Sequence, residues 1–342
     1  MFFKVLVLLF YTALAQDSHA RNVKVNPFKT FWNMPTFQCA GHKLGFEKLG
    51  EKYNILQNKN DVFQGDQMTI LYHPGSFPEI KSDGNLTNGG VPQEANLTEH
   101  LRLFEATINR SIPDVHFAGM GIIDFEHWRP VYDQNFGALN KYRQLSEKIE
   151  KKRHPSWSTA QIKAEARRRF ELHGRKFMES SILLAQRLRP NATWGYYGFP
   201  HCFNHQMQDT CGAHLEAQND NTNWLFSASD TLNPSLYVYG EGKATQDQWK
   251  DWLKGRVKEA QRVRDGVKDE KRRTVVPYYT LLDPSNNEFL SKETIVNSIS
   301  TLRELKIDGW IIWASSSHVN SRQKCEDLYK FIDTVFGPAL IR

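Results

Sequence analysis

The chain has 342 residues, 40% of them hydrophobic and 12% aromatic, enough for one large core or two modest ones. Its net charge of +6 draws it to polyanions through long-range fields. Signs of an oxidising, secretory route argue against nucleic acid as the partner and favour extracellular polyanions such as glycosaminoglycans.

Those signs begin at the N-terminus. Lys4 supplies a positive n-region, an apolar run follows, and Ala13-Leu-Ala15 reads as a cleavage site. Residues 1–15 are thus expected to be a secretory signal peptide, too short to span a bilayer. The mature chain, residues 16–342, is expected to be one catalytic domain without a membrane anchor, secreted and monomeric. The cysteines are Cys39, Cys202, Cys211 and Cys325. They allow three pairings; short spacing favours Cys202 with Cys211, leaving Cys39 for Cys325. None has zinc-ligand spacing, so neither a metal nor another cofactor is expected. Asn85, Asn96, Asn109 and Asn191 head Asn-x-Ser/Thr triplets and are candidate glycan acceptors behind a signal peptide.

In chain order, strand-like runs are predicted at Phe31–Phe37, Met68–Tyr72, Phe117–Phe125, Thr193–Phe199, Ser235–Tyr239, Thr274–Leu281 and Trp310–Trp313. Helical patterns fall near Thr98–Asn109, Asn140–Lys152, Thr159–Arg187, Gln246–Asp265 and Lys292–Leu305. In the third of these, Ile162, Ala166, Phe170, Phe177, Leu184 and Leu188 form one apolar stripe. Lys163, Arg167, Arg168 and Arg175 read as its solvated face. Gly174 interrupts the pattern.

Strands alternating with helices imply parallel strands with crossovers. An open doubly wound sheet and a closed barrel both fit. No Gly-rich phosphate loop follows an early strand, and several runs end in polar or aromatic clusters. A TIM-like (β/α) barrel, α/β in class, is therefore expected, with its chemistry at the C-terminal strand ends. Seven strand candidates fit an irregular barrel or a regular one of eight.

One strand end carries two carboxylates. In Gly121-Ile-Ile-Asp-Phe-Glu-His-Trp128, Asp124 and Glu126 share a face, roughly 6–7 Å apart along an extended backbone. Close carboxylates repel, so one tends to keep a proton near neutral pH. A neutral acid beside a second acceptor is what glycoside hydrolysis needs. Spacing alone does not divide the two roles. His127 points to the other side.

The segment Ile123-Asp-Phe-Glu-His-Trp-Arg-Pro130 resembles the active-site strand of animal hyaluronidases, especially those of bee and wasp venoms. Ile70-Leu-Tyr-His-Pro-Gly-Ser-Phe-Pro78, Asn88-Gly-Gly-Val-Pro-Gln93, Glu165-Ala-Arg-Arg-Arg-Phe-Glu171, Trp194-Gly-Tyr-Tyr-Gly-Phe-Pro200 and Asp308-Gly-Trp-Ile-Ile-Trp-Ala-Ser-Ser316 agree with it in family order. The resemblance implies a distorted TIM-like (β/α) barrel with about seven strands. It implies a secreted endo-β-N-acetylhexosaminidase that cleaves β-1,4 bonds of hyaluronan, with chondroitin a second candidate. It implies retaining, substrate-assisted catalysis, with the sugar's own acetamide oxygen as nucleophile. Glu126 would be the general acid and base, and Asp124 the partner of the acetamide. Tyr197, Tyr237 and Trp313 would bind the acetamide sugar, with Tyr72, Arg129 and Tyr278 as further cleft positions. Arg129 has two readings: an anchor for a glucuronate carboxylate, or an ion-pair partner of Glu126 or Asp124.

Two positions depart from the bee-venom pattern. His73 stands where an acidic residue follows the matching Tyr. Thr280-Leu-Leu282 replaces an aromatic run, which points to an altered groove. The alternative reading is a catalytically silent relative that only binds glycosaminoglycan. Its signature would be loss of the acid or its partner, and both are present. A chitinase-like hydrolase would carry extra Asp residues before Asp124, and positions 117–123 have none.

Overall fold

Side-chain alternation along the strands sorts the hydrophobic residues into layers. The computed structural model describes residues 28–341, so the expected leader and the start of the mature chain lie outside the described residues. The strands are β1 (Lys29–Asn33), β2 (Ile55–Leu56), β3 (Met68–Tyr72), β4 (Glu79–Ile80), β5 (Leu86–Thr87), β6 (Met120–Asp124), β7 (Thr193–Tyr196), β8 (Thr231–Leu232), β9 (Thr274–Val275), β10 (Tyr278–Tyr279) and β11 (Gly309–Trp313). Met68 and Ile70 of β3 face Met120 and Ile122 of β6, with Phe31, Val276 and Ile311, in one interior cluster. Their neighbours Leu71, Ile123 and Phe125 point outward into a layer shared with helices. This period of two is what a strand dictates.

Apart from the antiparallel hairpin of β4 and β5, every ladder is parallel. One sheet runs β10-β11-β1-β2 and another β3-β6-β7, with β8 paired to β9. Single backbone bridges, Tyr197 to Asn233 and Ser235 to Tyr278, join the sheets through the β8 segment. The result is the expected α/β arrangement of parallel strands, a distorted barrel.

Among the described residues no ladder joins β2 to β3. Asn58 fills that seam. Its amide nitrogen donates to the Met68 carbonyl at 3.0 Å and its amide oxygen accepts from the Met68 N–H at 2.9 Å. One buried side chain thus satisfies backbone groups that a strand would have paired.

Two expectations need correction. Ser235–Tyr239 is not a strand; the strand lies upstream at Thr231–Leu232, and Pro234 supplies no N–H to extend it. Thr274–Leu281 is two short strands, parted by Pro277 for the same reason. Met68–Tyr72 and the helix Gln246–Asp265 have the expected bounds.

The helix Thr159–Leu188 is unbroken across Gly174. Gly174 is buried against the Trp128 ring, where an added Cβ would lie 3.2 Å from the ring edge. A glycine expected as a break is instead a close-packing point. Trp128 in turn stacks edge-on against Phe125 and Phe170, and its indole N–H donates to the Pro78 carbonyl at 2.9 Å. Arg167, Arg168 and Arg175 lie on the solvated face, paired with Asp133, Glu165 and Glu179. The disulfides are Cys39–Cys325, which ties the first strand region to a C-terminal helix, and Cys202–Cys211.

Candidate active site

The inward face of β6 runs Met120, Ile122, Asp124. The first two residues fill the barrel interior, and Asp124 emerges where the packing ends. Gly121 faces the other way, and it has no side chain because the Trp194 ring takes that space at 2.4 Å from a would-be Cβ. Asp124 is paired in register with Tyr72 of β3, and its carbonyl accepts the His73 N–H at 3.0 Å. Tyr197 follows β7 and donates its N–H to the Ile123 carbonyl at 3.0 Å. Backbone register therefore sets Tyr72, Asp124 and Tyr197 side by side at the C-terminal strand ends.

Asp124 is 7% exposed, and its Oδ1 has no hydrogen-bond partner among the described residues. Burial first, and the charge of Glu126 second, push its carboxyl up to about 7. Glu126, beyond the strand end, opens to solvent on one side. Burial on the other side holds its carboxyl above the ordinary value, and the Arg129 guanidinium pulls against that shift. Burial raises both carboxyls, and the charge of Glu126 adds to the rise at Asp124.

The aromatic residues form the walls. Trp313 lies parallel to Tyr237, centroids 5.8 Å apart, and donates its indole N–H to the Tyr72 hydroxyl at 2.8 Å. Tyr197 meets Tyr278 edge-on at 5.0 Å and lies 6.2 Å from Tyr237. The Tyr278 hydroxyl is buried without a partner. Burial, and after it the charge of Glu126, push the Tyr197 phenol up. Every aromatic residue expected from the sequence is thus in one cleft with the carboxylates.

Arg129 has no carboxylate within 4.0 Å among the described residues, although its charge and that of Glu126 act on each other. It donates to the Gln134 carbonyl at 2.6 Å and stacks on Phe136 and Phe203. His127 faces away from Glu126, stacked on His73 at 4.5 Å with Glu79 3.6 Å from its Nε2. Burial lowers its pKa. Thr280, Leu281 and Leu282 are at most 7% exposed, so the replaced aromatic run alters the outer core rather than the open groove.

Three neighbours of the site were not among the expected site residues. Asn33, in register with Trp313, has both amide atoms buried without a partner among the described residues. Tyr239 is 58% exposed, and Glu126's charge reaches its phenol. Arg256 donates to the Ser235 carbonyl at 2.8 Å and lies over Trp252. Burial lowers its pKa to about 10, with Tyr197 and Tyr239 nearby. A signal for Arg256 existed: it breaks the apolar stripe Trp249, Trp252, Leu253, Val257, Ala260 on its helix.

The hyaluronidase family profile matches residues 18–342. A hyaluronidase of Apis mellifera is 38% identical over 334 residues, covering 96% of this chain and 87% of its own. Hyaluronidase A of Vespula vulgaris is 41% identical, covering 92% and 96%. The crystal structure of bee venom hyaluronidase in complex with a hyaluronic acid tetramer superposes with a TM-score of 0.88 at 40% identity, over 92% of this chain and 99% of that one. With a paired acid at a barrel strand end, an aromatic cleft, and relatives matched over nearly their full length, the chain belongs to the hyaluronidase family of glycoside hydrolases.

Proposed function

We propose that this chain cleaves hyaluronan internally at the β-1,4 bond between N-acetylglucosamine and glucuronate, with retention and without an enzyme nucleophile. The observation that carries the reading is the buried Asp124 carboxyl, pushed up to about 7. Its Oδ1 has no partner among the described residues, so it is free to receive the acetamide N–H of a bound sugar and to hold that group in place. The nucleophile is then the acetamide carbonyl oxygen of the bound sugar, an exception to the two-carboxylate scheme.

In this reading Trp313 packs on the acetamide methyl, with Tyr237 and Tyr197 closing the pocket. The acetamide N–H donates to Asp124 and favours its ionised form, which leaves the proton on Glu126. Glu126 protonates the leaving glycosidic oxygen as the acetamide oxygen bonds to the anomeric carbon and the C–O bond breaks. Positive charge grows on the acetamide, so its bond to Asp124 strengthens in the transition state. Water then gives a proton to Glu126 and opens the ring intermediate from the same face as the departed sugar. The acid is restored. Arg129, with no carboxylate of its own, is suited to a glucuronate carboxylate.

The net charge of +6 favours a polyanionic substrate. The exposed Asn85, Asn96, Asn109 and Asn191 fit glycan attachment, and the disulfides fit secretion. No helix among the described residues is long and apolar enough to cross a membrane. We read the protein as a secreted monomer, with chondroitin a weaker substrate.

The test is Glu126→Gln on hyaluronan. Depolymerisation is expected to stop while binding and the melting temperature hold. The wild type is expected to leave saturated products with N-acetylglucosamine reducing ends. Activity retained in the variant, or unsaturated ends, would overturn the reading.

A further inference from the structure

A hollow lies beside the two phenylalanines that Arg129 touches. A recess of about 440 Å³ opens there, lined by Gln134, Phe136, Phe203, His214 and Gln218. That volume is within the range of small-ligand sites. Phe136 is 48% exposed and meets Phe203 edge-on at 5.4 Å. The Arg129 guanidinium lies 5.1 Å from the Phe136 ring centre and 4.9 Å from that of Phe203. Arg129, whose charge acts on Glu126, therefore links the carboxylates to the aromatic lining of the recess.

The one carboxylate of the lining, Asp133, is paired with Arg167 at 2.7 Å. Gln134 donates to the Gln218 amide oxygen at 3.2 Å, and the Gln218 amide nitrogen lies 3.1 Å from His214 Nε2. Such groups match sugar hydroxyls and acetamides, and aromatic faces match the C–H faces of sugar rings. The Cys202–Cys211 bond closes the loop that carries Phe203, so the surface is built on a stapled segment.

Position decides which sugars arrive. Trp313 ends β11, whereas Arg129 follows β6 and Phe203 follows β7. With the acetamide sugar against Trp313, the sugars beyond Glu126 lie on the leaving-group side. We propose that the Phe136–Phe203 shelf and its recess are a distal subsite for the leaving-group arm of the polymer, binding uncharged sugar faces while Arg129 takes a carboxylate. This rests on the hyaluronan reading above.

Phe136→Ala is expected to raise KM for long hyaluronan about two- to tenfold, the loss of one aromatic platform. The rise is smaller for a tetrasaccharide, too short to span the site, and Phe136→Trp restores the long-chain value. Phe203→Ala gives the same pattern. An unchanged KM on the polymer, or an equal rise on both substrates, would overturn the subsite. Should the wild type leave hyaluronan uncleaved, the catalytic reading falls by itself. The subsite is then judged by polymer affinity in Glu126→Gln with and without Phe136→Ala: a two- to tenfold loss supports it, and equal affinities overturn it.

Discussion

Trp313 and Tyr72 are joined across the cleft by an indole hydrogen bond of 2.8 Å, although their strands, β11 and β3, belong to separate sheets. The bond fixes the indole plane where the acetamide methyl is expected. Tyr72→Phe keeps the ring and removes the acceptor. A neutral hydrogen bond contributes about 1 kcal/mol, so KM is expected to rise about fivefold. Steady-state kinetics on hyaluronan check this, and an unchanged KM would show the tie to be dispensable.

The Asp124 carboxyl sets a pH dependence of both stability and rate. Its folded pKa of about 7 stands above the ordinary 3.8. Ionising it therefore disfavours the folded state. Its stabilising share is whole below about pH 4 and is lost as pH rises through 7, of order 4 kcal/mol in all. Asp124→Asn is expected to melt above the wild type at pH 7.5, with the gap closing towards pH 4. The same variant loses activity by at least about a hundredfold. A gap that does not move with pH would refute the assignment.

Rate follows the same proton. The pair must hold one proton for Glu126 to act as acid, so kcat/KM is expected to fall as pH rises through about 7. A pH–rate profile with an alkaline optimum would contradict this.

Asn58→Ala opens the seam between β2 and β3. The Met68 N–H and carbonyl then lose their buried partners. A loss of about 2–4 kcal/mol is expected, read as a lower urea midpoint with an unchanged slope. Asn58→Asp can still accept from the N–H but cannot donate to the carbonyl, and it is expected to fare no better.

The catalytic strand was readable from the sequence because its signal is local. Two carboxylates at period two, after an apolar run, need no knowledge of the rest of the chain. The helix Gln246–Asp265 was readable for the same reason: Thr245 and Gln248 form a capping box at its start. Asn58 was not readable as a structural device. It acts on backbone groups ten residues away, and its side chain has no pattern that names that partner. Ser235–Tyr239 misled because alternating aromatics look like a strand, whereas here the backbone after Pro234 makes only an isolated bridge. Thr280–Leu282 misled in the opposite sense, since a change of sequence beside the groove turned out to be a change in the packing behind it.

Gly174 sits on the far side of the wall from the substrate, yet it touches Trp128, which lies two residues from Glu126 in the chain. Any side chain there must push the indole by a few tenths of an ångström at least. The push is passed to a ring whose N–H is anchored on Pro78 and which meets Phe125 edge-on. In a survey of random substitutions scored separately for abundance and turnover, position 174 should therefore sort with the cleft residues. Its tolerance is set by the aim of the acid on the other side of the wall, and only secondarily by the helix it belongs to.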